Sequence, residues 1–297
     1  MPSSKIDLTI IILNHSTLYW LKKALESIKK FYLDKTSFRV EVIVVDNHSD
    51  DESVKMVRQS FKFAQLLETS ENVGFAAGNN LALKTAQNSS RYLMLLNSDT
   101  ELRENSDLDQ IIKLMDEQLT IGVVTPQLQL ADGQVDLACH RGEPTLWASF
   151  CYLFGLENLF PSSKLFAQYH QTYKDLTTIH PVDACSGAAM IVRSSAVKKV
   201  GLLDERFFMY GEDLDWCKRF RDAGYTVLYY PLVAITHHKY KSGIKSLSGP
   251  TVNKTTKHFY DTMHQYFEKH HAQNYPNWVN QLVRYFIKIK KMQKGVE

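Results

Sequence analysis

The sequence predicts an α/β fold with a mixed, mostly parallel central sheet flanked by helices, followed by a C-terminal helical appendage. The first observation is that short apolar, β-branched runs alternate with segments whose apolar residues recur at helical spacing. The second is length, because 297 residues can bury a sizeable core as one large domain with an appendage. This alternation is typical of parallel strands covered by helices, so ligands are expected outside the carboxyl ends of the strands.

The first half of the chain contains five predicted strands separated by helices. The strands cover residues 8–13, 40–45, 63–67, 92–96 and 123–124, and the helices begin near residues 18, 49, 76 and 111. Asn14, Asp46 and Asp99 each follow an apolar strand. Since neighbouring parallel strands end at a common edge, these three polar side chains are expected there together.

The second half begins with an aromatic segment, residues 146–166, which glycine and proline interrupt. It could be a mobile lid, a wall for an acceptor substrate, an interfacial helix or part of the core. A second α/β stretch follows, with strands at 188–192 and 227–230, a helix ending near Val200 and an acidic helix starting at Glu212. Near the C-terminus, apolar residues at helical spacing and basic neighbours predict an amphipathic helix; they are Trp278, Leu282, Phe286, Ile289, Arg284, Lys288, Lys290, Lys291 and Lys294.

Composition and charge exclude several classes of protein. The net charge of +3 is too small for a nucleic-acid-binding surface, so no nucleic-acid partner is expected. The four cysteines form no CxxC pair, which argues against a zinc knuckle or a disulfide scaffold. The N-terminus lacks the apolar region of a secretory signal, and no run approaches the ~20 apolar residues of a membrane span. We therefore expect a cytoplasmic protein.

Asn97, Ser98 and Asp99 offer hard oxygen ligands where an apolar strand ends. Mg²⁺ or Mn²⁺ held by one or two carboxylates and by substrate phosphates would suit this arrangement. His237, on a later strand, could be a further ligand. The alternatives are a turn aspartate and an ordinary surface or core histidine.

The densest acidic cluster is Glu212, Asp213 and Asp215, which follows an aromatic stretch at the predicted start of a helix. Burial and a neighbouring like charge can raise a carboxyl pKa, as a general base requires. Asp213 and Asp215 are two residues apart and do not share a helix face, so we expect different roles for them. The alternative is an acidic first turn that favours the helix macrodipole.

Residues 72–80 combine small side chains with amides before a helix. Small residues let a ligand approach the backbone, and amides can bind a base or ribose. Asp46, at a strand end, could accept hydrogen bonds from a nucleotide in the same way. A turn or helix-capping role is the alternative for both segments.

Taken in order, these motifs resemble those of the family 2 glycosyltransferases with the GT-A fold, in particular bacterial rhamnosyltransferase-like members. The resemblance runs from about Ile6 to about Ser242. It rests on the strand ends at Asn14, Asp46 and Asp99, and on residues 72–79, 186–188, 201–205, 207–213 and 231–237. It implies a GT-A catalytic domain over residues 1–242 and a helical extension over residues 243–297.

The resemblance implies an inverting, metal-dependent transferase that moves a sugar from a nucleotide-diphosphate donor to a cell-surface glycan or lipid-linked acceptor, with dTDP-rhamnose as the leading donor. Asp213 would be the catalytic base, and Asp99 and His237 would bind Mg²⁺ or Mn²⁺. The implied nucleotide-binding residues are Asn14, Asp46, Asn47, Gly78, Asn79, Asn97 and Ser98. The implied sugar and acceptor pocket consists of Gly187, Ala188, Phe208, Glu212 and Trp216. Asn97 replaces the first Asp of a full DxD motif, which predicts looser metal binding.

Three alternatives remain open for the activity. A UDP-hexose-dependent transferase would share the fold and the site. A nucleotidyltransferase that makes sugar nucleotides would share the sheet and the metal, but it should carry a Gly- and Arg/Lys-rich loop that residues 14–17 do not form. A non-catalytic subunit would bind nucleotide sugars without turnover. The C-terminal helix could contact the inner face of the plasma membrane, the catalytic domain or a second copy in a homodimer.

Overall fold

A computed structural model describes residues 6–239 and 250–296 of the protein. These residues form nine strands: β1 (Ile6–Asn14), β2 (Val40–Asp46), β3 (Ala64–Glu68), β4 (Ser90–Asn97), β5 (Thr100–Leu102), β6 (Ile121–Gln129), β7 (His180–Pro181), β8 (Ala189–Arg193) and β9 (Thr226–His237). The same ranges contain ten α-helices: α1 (Leu18–Ile28), α2 (Ser53–Ser60), α3 (Gly74–Ala86), α4 (Leu108–Glu117), α5 (Leu146–Leu153), α6 (Leu156–Leu159), α7 (Ser194–Val200), α8 (Glu212–Asp222), α9 (Pro250–His270) and α10 (Asn277–Gln293). Strands β5 and β7 and helix α6 have no counterpart in the sequence-based predictions.

The strands form one mixed sheet in the order β3-β2-β1-β4-β8-β6-β9-β5, with β7 beside β9. Strands β3, β2, β1 and β4 are parallel to one another, and β6 is parallel to β9. Strand β8 runs antiparallel to both β4 and β6. The predicted α/β architecture with a mixed sheet and flanking helices is confirmed.

The central strands are covered on both faces. Ile10, Ile11 and Ile12 are consecutive in β1 and all fully buried, although successive strand residues point to opposite faces. The same holds for residues 42–45 of β2. Burial on both faces explains why these strands are continuous apolar runs without polar alternation.

The polar strand ends meet at one edge of the sheet, as the sequence predicts. Asn14 pairs with Asp46 across β1 and β2, and Leu13 pairs with Asn97 across β1 and β4. Strand β9 is longer than predicted and runs through Pro231. Its pairing with β6 is irregular at that point, so the proline, which has no N–H to donate, does not interrupt the ladder of hydrogen bonds. The extension brings His237 opposite Thr100, directly beside Asp99.

Helix α9 is docked on the rest of the protein at the start of α8. The Thr262 hydroxyl donates to the carbonyl oxygens of Met209 and Tyr210, at 3.1 Å each. Gly211 has φ +78°, and a Cβ there would lie 2.2 Å from the Thr262 methyl group, so only glycine suits this position. The predicted domain boundary at residue 242 lies outside the described residues.

Helix α10 packs on α9 through a small apolar cluster of Tyr260, Met263, Val283 and Ile287. The apolar stripe predicted for this helix is not the face that packs on α9, because its residues Trp278 and Leu282 are exposed. In the two described ranges no helix is both long enough and apolar enough to cross a bilayer.

Candidate active site

A cavity of about 1050 Å³ opens at the polar edge of the sheet. Nine of the predicted site residues line it: Asn47, Asn97, Ser98, Asp99, Gly187, Ala188, Glu212, Asp213 and His237. His15, Thr17 and Arg141, which sequence reasoning missed as site residues, line it as well, together with Asn72 of the amide-rich segment 72–80. A second set of lining residues is mostly apolar and comes from α5, α9 and α10.

Four of the residues expected to bind the nucleotide do not line the cavity. Both oxygens of Asp46 already accept protein hydrogen bonds, from Asn14 Nδ2 at 3.0 Å and from the Ser49 hydroxyl and backbone N–H. Gly78 lets α3 pack against Leu13, and Asn79 donates to the carbonyl oxygen of Phe75. Because Asn14, Asp46, Gly78 and Asn79 all support this edge from within, we do not propose them as direct contacts.

Two residues expected in the sugar and acceptor pocket also lie elsewhere. Phe208 is not among the cavity-lining residues and stacks on His258 of α9, with ring centroids 4.8 Å apart. Trp216 is fully buried in the core, where its indole N–H donates to the carbonyl oxygen of Gly201 at 2.8 Å. Trp216 lies about one helical turn after Asp213, but its side chain points into the core and not into the cavity.

We expect Trp216→Ala to lower the free energy of unfolding by about 3–5 kcal/mol, because it leaves a large cavity in the core. The matched control is Trp278→Ala, since Trp278 is 65% exposed and its truncation should change stability by less than about 0.5 kcal/mol. Urea unfolding of both variants checks this. Equal stability of the two variants would contradict the core assignment of Trp216.

Asp99 and His237, the two residues expected to bind a metal, lie beside each other and are here called the predicted metal pair. Their closest atoms, Asp99 Oδ1 and His237 Nε2, are 3.5 Å apart. On the other side of the imidazole, Nδ1 lies 2.9 Å from Oδ2 of Asp136, whose Oδ1 accepts from Lys239 Nζ at 2.8 Å. Asp136 is therefore a second carboxylate that fixes the orientation of His237 and leaves Nε2 facing Asp99.

Neighbouring charges shift the pKa values of His237 and of its partner Asp136. Burial alone would lower the pKa of His237, but hydrogen bonds to Asp136 and Asp99 outweigh burial and raise this pKa to about 9. Burial would raise the pKa of Asp136, yet His237 and Lys239 hold it well below its usual range. In the absence of a cation, the imidazole therefore carries a proton at neutral pH.

The donor set suits a divalent cation that also binds phosphate. Within the described residues, no group of three or more His, Cys, Asp or Glu side chains could hold a metal by itself. Mg²⁺ and Mn²⁺ sites that bind nucleotides need only one or two protein ligands, because phosphate oxygens and waters complete them. Asp99 and His237 on the cavity wall meet that requirement.

We expect Asp136→Asn to weaken Mn²⁺ affinity by about 10–100-fold, as is usual when the carboxylate partner of a ligating histidine is removed. Calorimetric titration of Mn²⁺ in the presence of a nucleoside diphosphate measures this. Asp132→Asn, an exposed carboxylate a few residues away, is the control. Unchanged Mn²⁺ affinity in Asp136→Asn would show that His237 does not depend on this partner for metal binding.

Asp213 is held in place by three donors. Its Oδ2 accepts from Arg141 at 2.6 Å and from the Gly187 backbone N–H at 3.3 Å, and its Oδ1 accepts from the Leu214 N–H at 2.7 Å. A carboxylate has about four acceptor positions, so Oδ1 retains capacity for one further donor. A hydroxyl group in the cavity could use it.

Glu212, the residue before Asp213, has a perturbed pKa. Burial raises the pKa of Glu212 well above its usual range, and the charge of Asp213 raises it further. Its Oε2 is buried and has no hydrogen-bond partner among the described residues. Burial therefore favours the neutral form of this carboxyl group.

The fold, a mixed sheet flanked by helices, is the GT-A fold of glycosyltransferases. The chain belongs to glycosyl transferase family 2, because the model of that family matches residues 9–200. This confirms the resemblance drawn from the sequence motifs.

Two curated relatives have rhamnosyltransferase names. The chain is 26% identical over 209 residues to the N-acetylglucosaminyl-diphospho-decaprenol L-rhamnosyltransferase of Mycobacterium tuberculosis (strain ATCC 25618 / H37Rv), a match that covers 67% of each protein. It is 26% identical over 235 residues to the rhamnosyltransferase WbbL of Escherichia coli (strain K12), covering 77% of this chain and 82% of that one. These names support the rhamnosyltransferase-like branch.

Solved structures support the same fold. The mannosyltransferase PcManGT from Pyrobaculum calidifontis, in complex with GDP-Man and Mn²⁺, matches with a TM-score of 0.58 and 16% identity. TarS 1-349 from S. aureus matches with a TM-score of 0.56 and 15% identity. The matches cover 90% and 88% of this chain but only 65% and 64% of those chains, respectively.

Proposed function

We propose that the protein is an inverting, metal-dependent glycosyltransferase that uses a nucleotide-diphosphate sugar and a glycan or lipid-linked acceptor. One observation carries the proposal: Asp213, Asp99 and His237 line the same cavity at the carboxyl edge of the sheet. Groups suited to the acceptor hydroxyl and to the donor diphosphate are thereby present on the walls of one cavity.

In the proposed reaction, Asp213 takes the proton of the acceptor hydroxyl while that oxygen forms a bond to the anomeric carbon of the donor. The bond from this carbon to the diphosphate oxygen breaks, and the nucleoside diphosphate leaves from the opposite face. Arg141 keeps the carboxylate oriented through its contact with Oδ2. Asp99 and His237 would hold Mg²⁺ or Mn²⁺, which supplies charge stabilisation at the leaving diphosphate. Asn47, Asn97 and Ser98 would contact the nucleotide.

The proposed donor is dTDP-rhamnose, supported by the names of the two rhamnosyltransferase relatives. A UDP-hexose is the alternative donor. The acceptor is proposed to be lipid-linked, because the mycobacterial relative is named for a diphospho-decaprenol substrate.

A thermal-shift and hydrolysis panel of nucleotide sugars, with and without Mn²⁺, tests the proposed function. A ligand that binds the native state raises its melting temperature, so one donor should stabilise the protein only with metal and should be hydrolysed slowly. Stabilisation by nucleoside triphosphates alone would favour the nucleotidyltransferase alternative. Donor binding without hydrolysis or transfer would favour a non-catalytic subunit.

We also propose that the protein acts at the inner face of the plasma membrane. Large apolar side chains are exposed on α5, α6 and α10; they include Trp147, Phe150, Leu159, Trp278 and Tyr285. Helix α10 adds basic residues suited to anionic lipids. Sedimentation with anionic vesicles should fall in Trp278→Ala/Lys288→Glu but not in the control Leu119→Ala/Lys113→Glu. Equal sedimentation of both double variants would contradict this contact.

A further inference from the structure

We propose that the groove between α5, α9 and α10 binds the apolar chain of a lipid-linked acceptor, next to the site of transfer. The inference rests on the proposed function and adds to it a binding site for one part of the acceptor. The occupant would be a long hydrocarbon chain joined to the acceptor sugar through an anionic phosphate linker.

The groove is part of the cavity that contains Asp213. The same continuous cavity is lined by Leu153 of α5 and by Phe154 directly after it, by Met263 from α9, and by Leu282, Phe286 and Ile289 from α10. The rings of Phe154 and Phe286 lie 5.9 Å apart and connect the α5 and α10 walls. A molecule in the groove would therefore reach the catalytic carboxylate without crossing the protein surface.

The apolar walls of the groove are suited to a hydrocarbon chain and not to a sugar. Sugar hydroxyls need hydrogen-bond partners when they leave water, and these walls are mostly aliphatic and aromatic. Leu282 is 57% exposed and Phe154 is 52% exposed, so both retain apolar surface that a ligand chain could cover. The size of the cavity is at the top of the usual range of about 300–1,000 Å³ for small-molecule sites, which suits two substrates together.

Positive charge at the groove complements an anionic linker. The Lys290 ammonium lies 5.6 Å from the ring centroid of Phe154 and 5.5 Å from that of Phe286, where the two walls meet. In the part of the chain that the structure describes, Lys290 forms no ion pair, in contrast to Lys291, which pairs with Asp261 at 2.6 Å. The Lys290 ammonium is thus available to a phosphate.

Farnesyl diphosphate, added below its micellar concentration and with EDTA present, is the probe for this site. We expect calorimetric binding that is at least tenfold weaker in Leu282→Asp, because a carboxylate then faces both the hydrocarbon chain and the diphosphate. The control Leu119→Asp replaces a leucine that is 71% exposed and does not line the cavity. It should bind the probe as the parent protein does.

Equal probe affinity in Leu282→Asp and the parent would overturn the proposal, as would full competition by inorganic diphosphate, which would place the probe at the donor site. Dimerisation of the parent that Leu282→Asp abolishes, with probe binding unchanged, would assign the groove to a second copy instead. The donor panel with Mn²⁺ is run on the same variant. A retained donor shift separates failure of the groove from failure of the proposed function.

Discussion

Asp213→Asn is expected to reduce kcat by about 10²–10⁴-fold while leaving nucleotide affinity unchanged. The fold-change follows from the usual contribution of a positioned general base. The amide can still accept from Arg141 or the Leu214 N–H, so the local structure should persist, but it cannot take a proton from the acceptor. Initial rates with donor and acceptor, together with calorimetry of the nucleoside diphosphate, measure both quantities.

The matched control is Asp222→Asn, which removes an exposed carboxylate from the other end of the same helix, where it pairs with Lys218. It should transfer sugar at the parental rate. Near-normal turnover in Asp213→Asn would remove this residue from the role of base. Glu212 would be a poor replacement, because burial raises the pKa of its carboxyl group and so favours the neutral form, which cannot accept the proton.

Asp99→Ala is expected to abolish the metal-dependent part of nucleotide affinity. The variant removes the carboxylate that faces the cavity at the predicted metal pair, and His237 alone is a weak site for Mg²⁺ or Mn²⁺. Binding of the nucleoside diphosphate should then be the same with and without Mn²⁺. Calorimetry under both conditions provides the measurement.

Parental protein treated with EDTA is the natural comparison, since metal removal and Asp99→Ala should give the same nucleotide affinity. Circular dichroism of the variant confirms that the fold is retained. If Mn²⁺ still strengthens nucleotide binding in Asp99→Ala, the cation binds elsewhere and the pairing of Asp99 with His237 has another purpose.

The polar residues at the edge of the sheet could be predicted because the sequence indicates where each strand ends. Asn14, Asp46 and Asn97 end buried apolar runs, and the parallel pairing of those runs brings them together. The same reasoning could not show which side chains face a ligand. Asp46 and Trp216 are of residue types that serve structure and binding equally well, and only their tertiary hydrogen bonds decide between the two.

Asp136 and Arg141 could not be found from sequence for a related reason. Both lie in the segment between β6 and α5, which has no strand or helix periodicity to place them. Asp136 meets His237 across 101 positions of the chain, and Arg141 meets Asp213 across 72. Such contacts depend on the closure of the whole sheet, and no local pattern encodes them.

The predicted metal pair and its supporting carboxylate also have a consequence for folding. Asp99, Asp136 and His237 come from three distant parts of the chain, and an unfolded chain would hold no two of them together. A cation bound there would select the native state and raise the melting temperature with increasing concentration. Supply of Mg²⁺ or Mn²⁺ in the cell would then influence how much of this protein survives proteolysis, in addition to how fast each copy works.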